Sequence, residues 1–194
     1  YIMNRLAGIF LLIVTGAFAQ QIEPSLQESF VAGISNLDKS FTYQFQGSNN
    51  YPVIDVTMES WALSTPAVEI GTLLLFLQNN ESLKTRHLAF ALGTTGLTAM
   101  AFKYGFNRKR PERRYKPRIW NSRYTPSFPS GHTASFAAYA MVMSLSYPET
   151  TPLMVGLTIL TGYSQVYVGN HYLGDVVGGA ILGYIVGSVF VNNI

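Results

Sequence analysis

The sequence predicts an all-α protein, a polytopic membrane bundle of about six helices whose functional ends gather on one side. Hydrophobic residues make up 48% of the chain and charged residues only 12%, about half the charged fraction that is usual in soluble domains. Five apolar stretches also follow residue 60, at 61–77, 88–106, 133–145, 153–168 and 176–191. Because the mean hydropathy of +0.18 is modest, an exported soluble protein stays open as an alternative.

The N-terminal part of the sequence divides in two. Residues 1–19 combine Arg5 with an apolar run and an Ala-Phe-Ala ending that resembles a signal-peptide cleavage site. We expect a first membrane helix here, with a cleaved signal peptide as the alternative. Residues 20–60 are polar and mixed, and we expect them to form an amphipathic or irregular connection to a helical core of residues 61–194.

The last apolar stretch is the clearest membrane helix. It carries Gly179, Gly183 and Gly187 at every fourth position, a spacing of small residues that lets membrane helices approach closely. In a soluble helix each of these glycines would cost about 0.8 to 1 kcal/mol relative to alanine. The spacing therefore favours a membrane helix over a soluble core helix.

The positive charge of the chain is local. The net charge is only +3, but eight of the thirteen Lys and Arg residues lie between Arg108 and Arg123, and such a cluster attracts anions such as phosphate. We expect no nucleic-acid partner, because apolar stretches flank the cluster and no groove-reading motif is present. The absence of cysteine excludes a disulfide framework and a thiolate metal site.

A first motif ends the second apolar stretch of the core. It runs from Lys103 through Arg110 to Pro111. The lysine offers a point charge and the arginine a planar fork for two phosphate oxygens, while the proline stops the helix. Taken alone, this motif is also typical of an ordinary solvated helix end.

A second motif, Pro129-Ser130-Gly131-His132, precedes the next stretch. It predicts a loop that opens into a helix N-terminus, where free amides favour an anion. Ser130 adds a hydroxyl donor, Gly131 allows close backbone approach, and His132 is placed to give a proton to a leaving oxygen. An ordinary N-cap beside a surface histidine is the alternative.

A third motif runs from Ser164-Gln165 to His171 and Asp175. The histidine and the aspartate are four positions apart, so they share one face if the segment is helical. The carboxylate then fixes the imidazole tautomer and leaves the other ring nitrogen free to attack. A buried structural His-Asp pair is the alternative, but alternating helices would bring all three motifs to the same side.

In this order, K-x6-R-P, P-S-G-H and S-x6-H-x3-D resemble the motifs of the type 2 phosphatidic acid phosphatase superfamily, over about residues 83–194. That superfamily includes membrane lipid phosphatases, soluble bacterial acid phosphatases, glucose-6-phosphatase and vanadium haloperoxidases. The resemblance implies a hydrolase that cleaves phosphate or diphosphate esters of membrane lipids through a phosphohistidine, without a metal or other cofactor. A soluble, exported, non-specific acid phosphatase is the alternative.

The resemblance also implies a role for each site residue. His171 would attack phosphorus with Asp175 orienting it, and His132 would protonate the leaving group and then activate water. The phosphoryl oxygens would be held by Lys103, Arg110, Ser130, Gly131 and the residue at position 165.

Position 165 departs from the family pattern, which has arginine where this chain has Gln165. Glutamine brings no positive charge and no guanidinium fork. Three interpretations are open: an engineered, disabling substitution; a natural variant compensated by Arg108, Lys109 or Arg123; or a protein that binds phospholipid without turnover. The intact remainder of the site favours the first.

Charge placement predicts the orientation and the compartment. If Arg5 is cytoplasmic, the turn at Lys84 is also cytoplasmic, as the positive-inside bias favours. The functional ends would then face the periplasm from a bacterial inner membrane, although the basic cluster there runs against the bias. Expected substrates are undecaprenyl pyrophosphate, phosphatidylglycerophosphate, phosphatidic acid or lipid A phosphates, and the sequence does not choose among them.

Overall fold

A computed structural model of the protein describes residues 24–119 and 123–193. These residues contain six α-helices, one short 3-10 turn at Pro148–Thr150 and no strand, which confirms the all-α prediction for this part of the chain. The helices are α1 (Pro24–Phe45), α2 (Pro52–Gln78), α3 (Ser82–Phe106), α4 (Gly131–Ser146), α5 (Thr151–Tyr167) and α6 (Leu173–Asn193). The predicted membrane helix or signal peptide at residues 1–19 lies outside the described residues.

The chain divides into two compact units, residues 1–37 and residues 38–194. In the first unit, residues 24–37 form the beginning of α1. The second unit holds the end of α1, all the other helices and the three sequence motifs.

The predicted connection is more regular than its composition suggests. Much of residues 20–60 is helical, and residue 60, its predicted end, lies inside α2. The Tyr51-Pro52 pair, a typical turn signal, stands where α2 begins, with proline in the first turn. Proline is favoured there because the first amides of a helix need no intrahelical acceptor.

Helix α4 lies at the centre of the second unit and packs against α2, α3, α5 and α6. Its side chains Phe136, Ala138 and Val142 are fully buried. The contact with α6 is made by backbone: a Cβ placed on Gly183 would lie 2.0 Å from the carbonyl oxygen of Ala134. The glycines of α6 are therefore required by the close approach of α4, as their spacing predicts.

Two of the described helices are long and apolar enough to cross a membrane, namely α2 and Leu173–Val191 of α6. Large apolar side chains face outward on other helices as well, including Leu97 of α3 and Ile159 of α5. Exposed apolar surface of this extent is typical of a protein that contacts lipid or a partner.

The ends that carry the three motifs meet on one side of the second unit. Lys103, near the end of α3, donates through Nζ to the carbonyl of Pro126, and the amide of Ser130, which precedes α4, donates to the carbonyl of Asp175 at the start of α6. The loop between α3 and α4 is anchored to α2, because Glu59 accepts hydrogen bonds from the amides of Arg118 and Ile119.

Candidate active site

Five of the predicted site residues line one cavity of about 370 Å³ between α2, α3, α4 and the neighbouring loops: Lys103, Arg110, Gly131, His132 and His171. Both imidazoles therefore lie in the same cavity. The arrangement combines two cations, two imidazoles and the first residues of a helix. These are the groups needed to hold and to attack a phosphoryl group.

The two cations are held in place by backbone carbonyls. Lys103 is almost fully buried, and its Nζ donates to the carbonyls of Pro126 and Ser127 at 2.9 and 3.3 Å. Arg110 donates through Nε to the carbonyl of Thr125 at 2.8 Å and through Nη1 to the carbonyl of Asn170 at 2.8 Å. These bonds fix both side chains at the cavity before any anion binds.

The start of α4 is capped by Ser130. Its Oγ accepts from the amide of Thr133 at 3.4 Å and lies 2.9 Å from the hydroxyl of the same threonine. The Ser130 side chain is fully buried and lies outside the cavity lining; the contact of its hydroxyl with phosphate stays a prediction. Gly131 and His132 do line the cavity, and the first amides of a helix have no intrahelical acceptor.

The neighbours of His171 select its tautomer. Nη1 of Arg110 lies 3.4 Å from Nε2 of the imidazole. Because a guanidinium has only donors, Nε2 is the acceptor and the ring proton belongs on Nδ1. Nδ1 faces Oδ2 of Asp175 at 3.6 Å, too long for a hydrogen bond. The tautomer is the one that a nucleophilic Nε2 requires.

Asp175 is held by groups that sequence reasoning did not assign to the site. Nη1 of Arg108 donates to Oδ1 at 2.6 Å, while the Ser127 hydroxyl and the Tyr172 amide both donate to Oδ2. Arg108 also donates to Asp38 of α1 at 2.6 Å. A chain of charges therefore runs from α1 through the loop to the carboxylate behind His171.

Burial and positive charge hold His171 neutral. Burial lowers the pKa of His171 to about 3; the Asp175 carboxylate opposes this shift, and Arg110 adds to it. Burial likewise lowers the pKa of Arg110 to about 10, with a further contribution from Arg123. The imidazole is thus unprotonated near neutral pH, while the guanidinium keeps its charge.

Gln165 is fully buried and lies outside the cavity lining; its contact with phosphate stays a prediction. Pro66 interrupts α2 and has no N–H, so the carbonyl of Ala62, four residues earlier, loses its helical donor. Nε2 of Gln165 donates to that carbonyl at 2.9 Å, and its Oε1 accepts from Asn170 at 3.0 Å. The fully buried amide thus joins α5 to α2.

The cavity also contains polar residues that the motifs do not include. Thr65 and Glu69 of α2 and Ser135 of α4 all line it. An acidic residue inside an apolar stretch was the available signal for Glu69, because such residues in membrane helices usually have a function. Within the described part of the chain, no cluster of three or more His, Asp or Glu side chains has the arrangement of a metal site.

The sequence and the fold place this chain in a known family. Residues 84–194 match the PAP2 superfamily, and the chain belongs to that superfamily. The crystal structure of Aquifex aeolicus LpxE has the same fold: the TM-score is 0.65 with 24% sequence identity, over 79% of this chain and 93% of that one. The two long apolar helices and the exposed apolar surface of the described residues agree with a membrane protein.

Two curated relatives have related names. A lipid A 1-phosphatase of Porphyromonas gingivalis is 32% identical over 105 residues, which is 52% of this chain and 22% of that protein. The undecaprenyl-diphosphatase BcrC of Bacillus subtilis is 29% identical over 153 residues, covering 74% of this chain and 76% of that one. This chain therefore spans only about a fifth of the lipid A 1-phosphatase but three quarters of BcrC.

Proposed function

We propose that this protein hydrolyses phosphate or diphosphate esters of membrane lipids through a phosphohistidine formed on His171. The observation that carries the proposal is the shared cavity: Nε2 of His171 lies 3.4 Å from Arg110, and Lys103 and His132 line the same cavity. The names of the relatives support a lipid phosphate as substrate.

In the first step, the Nε2 lone pair attacks phosphorus and the bond from phosphorus to the leaving oxygen breaks. His132 gives that oxygen its proton. Lys103, Arg110 and the first amides of α4 hold the remaining phosphoryl oxygens and stabilise the charge that redistributes in the transition state. The imidazolium that forms on His171 is stabilised by Asp175, as an orienting carboxylate does in related triads.

In the second step, water attacks the phosphohistidine. His132 now accepts a proton from the water, the P–N bond breaks, and inorganic phosphate leaves while His171 becomes neutral again. His132 enters this cycle as the imidazolium, although burial and the charges of Lys103 and Arg110 lower its pKa. Each histidine returns to its initial protonation state after one cycle.

Gln165 is expected to slow this reaction. Of the cations proposed to compensate for it, Arg108 is paired with Asp38 and Asp175, and Arg123 donates to the carbonyls of Pro111 and Gly169. Losing one charge-stabilising donor in an active site typically lowers the rate on the order of 10²- to 10³-fold. Turnover by the chain with Gln165 is therefore expected to be slow, with Lys103 and Arg110 keeping phosphate bound.

We also propose that the protein lies in a bacterial inner membrane with its cavity facing the periplasm. Lys84, near the start of α3, and Lys103, near its end, are separated by about 28 Å at 1.5 Å per residue, close to the thickness of the hydrocarbon core. If positive-inside bias places Lys84 in the cytoplasm, the cavity opens on the other side.

The test is the release of inorganic phosphate from long-chain lipid phosphates in detergent. Gln165→Arg is expected to raise the rate by about 10² or more, and His171→Asn should abolish turnover in both backgrounds. His87→Asn is the matched control, because His87 is a buried histidine near the opposite end of α3. Equal rates for His171→Asn and His87→Asn would exclude the mechanism. Lipid binding without turnover in every variant would instead support a phospholipid-binding protein.

A further inference from the structure

The inner part of the active-site cavity contains a second set of polar groups. Glu69 of α2 is 5% exposed, and its Oε2 accepts a hydrogen bond from the Ser135 hydroxyl at 2.6 Å. The other carboxylate oxygen, Oε1, is buried and has no hydrogen-bond partner among the described residues, and the same holds for Oγ1 of Thr65. Thr65 and Glu69 are one helical turn apart and both line the cavity.

Unpartnered polar atoms of this kind call for a ligand. Burying a polar group without a hydrogen bond is unfavourable, and few such groups occur in native structures. Inside a membrane helix, an ionisable side chain is a candidate functional residue for the same reason. Only one carboxylate oxygen of Glu69 accepts a hydrogen bond, from Ser135 of α4. A role limited to joining α2 and α4 would therefore not account for the second, buried oxygen.

The position of Glu69 places it near the part of the headgroup next to the reacting phosphate, and not at the phosphate itself. Ser135 lies one turn beyond His132 on α4, about 4.5 Å along the helix axis. On α3, the cavity extends from Lys103 back to Gly96, where a Cβ would meet nothing within 4 Å. A phosphoryl group held by the cations thus leaves room beyond it for the next part of the headgroup.

The chemistry of a carboxylate limits what this part can be. In its ionised form the Glu69 side chain repels a phosphate and only accepts hydrogen bonds, so the partner of that form is a donor. The distance of about one helical turn is comparable with that from a phosphate to a hydroxyl on the neighbouring carbon of a glycerol or a sugar.

We propose that Glu69 is a specificity-determining residue, whose free Oε1 accepts a hydrogen bond from a hydroxyl on the carbon next to the phosphorylated carbon of the lipid. The site then selects lipid phosphates that carry this hydroxyl over those that lack a donor there. Ser135 positions the carboxylate, and Thr65 offers a second polar contact. This inference rests on the proposed phosphatase function.

The test compares two ligands that differ in one hydroxyl: a 1-acyl-glycerol 3-phosphate with a free 2-hydroxyl, and its 2-deoxy analogue, which lacks the donor and adds no bulk. For the original chain and its Gln165→Arg variant, kcat/KM is measured for both, together with the thermal stabilisation that each ligand gives in detergent, which reports binding even where turnover is slow. Glu69→Met removes the acceptor at similar length, and Glu69→Gln keeps an acceptor. Glu149→Gln, at an exposed position of the 3-10 turn, is the matched control.

The parent chain is expected to prefer the hydroxyl ligand by about 10-fold or more in kcat/KM. This is the preference that one hydrogen bond to a charged group produces. Glu69→Met should reduce this preference to about one, whereas Glu69→Gln should retain part of it and Glu149→Gln all of it. A preference that persists in Glu69→Met, or that is absent from the parent chain, overturns the inference while leaving phosphate release intact. Absence of both phosphate release and ligand binding in all variants would instead overturn the proposed function and, with it, the inference.

Discussion

Replacing Gly183 with alanine should force α4 and α6 apart. The added Cβ would lie 2.0 Å from the carbonyl oxygen of Ala134, about 1.4 Å short of the 3.4 Å at which ordinary contact begins. Both atoms are fixed to helix backbones, so neither side chain can move aside. A gap of 0.5 to 1 Å already forfeits a quarter to a half of the dispersion attraction between packed atoms.

The expected loss of stability is about 3 kcal/mol, at the upper end for overpacked cores, or roughly 6 to 12 °C in melting temperature for a chain of this length. The neighbouring glycines provide a graded series. A Cβ on Gly179 would lie 2.6 Å from the Ser130 carbonyl oxygen, and one on Gly187 would lie 2.8 Å from that of Ala138. The order of destabilisation should therefore be Gly183→Ala, then Gly179→Ala, then Gly187→Ala.

Thermal unfolding in detergent measures this order, and Gly156→Ala is its control, because a Cβ on Gly156 meets nothing within 4 Å. That variant should be neutral or slightly more stable, since alanine favours a helix over glycine by up to about 1 kcal/mol. Among the three variants, Gly179→Ala should lose the most phosphate release for a given loss of stability, because the added Cβ presses on the loop before His132. If Gly183→Ala and Gly156→Ala have the same melting temperature, the close backbone contact between α4 and α6 is refuted.

Three other measurements test the site. Asp38→Asn weakens the support of Asp175 through Arg108, so kcat should fall about 10-fold with KM nearly unchanged; an effect on KM alone would contradict a positioning role. Because burial lowers the pKa of His171 to about 3 from 6.5, the unfolded chain binds a proton in that range that the folded chain does not. The free energy of unfolding should therefore fall as pH drops from 6.5 towards 3, and denaturant titrations should show a shallower fall in His171→Asn; an identical fall would exclude this origin. Gln165→Ala removes the partner of the buried Ala62 carbonyl and of the half-buried Asn170 amide, and it should lower the unfolding free energy by about 1 to 3 kcal/mol. The loss of unfolding free energy should be smaller in a Pro66→Ala background, because the amide of residue 66 can then donate to the Ala62 carbonyl. An equal loss in both backgrounds would refute the hydrogen bond from Gln165 to that carbonyl.

The features that the sequence predicted are those set by local spacing. The glycines of α6 follow a helical repeat. Lys103 and His132 stand at helix ends, and His171 lies in the short loop between α5 and α6. Their meeting in one cavity follows from the alternating direction of successive helices, and it holds even across the long loop of residues 107–130 between α3 and α4. Such patterns are visible in one chain because each depends only on residues close together in sequence.

The features that the sequence did not predict depend on distant neighbours. Gln165 turns towards α2 because Pro66 frees a carbonyl there, and Asp38 supports the site from more than a hundred residues away in sequence. Ser130 occupies the N-cap with the hydroxyl that was expected to bind phosphate. In each case the side chain satisfies a backbone group or a charge whose position only the folded chain defines.

The loose contact between His171 and Asp175 fits the proposed reaction. Oδ2 of Asp175 already accepts from Ser127 and from the Tyr172 amide, and Nδ1 of His171 is 3.6 Å away. In the proposed reaction the imidazole gains positive charge only when Nε2 bonds to phosphorus, and a small ring rotation at that point would shorten the contact with the carboxylate. An interaction that strengthens as charge develops stabilises the transition state more than the resting enzyme. Since Arg108 ties the same carboxylate to α1, the aspartate stays in place while the histidine moves.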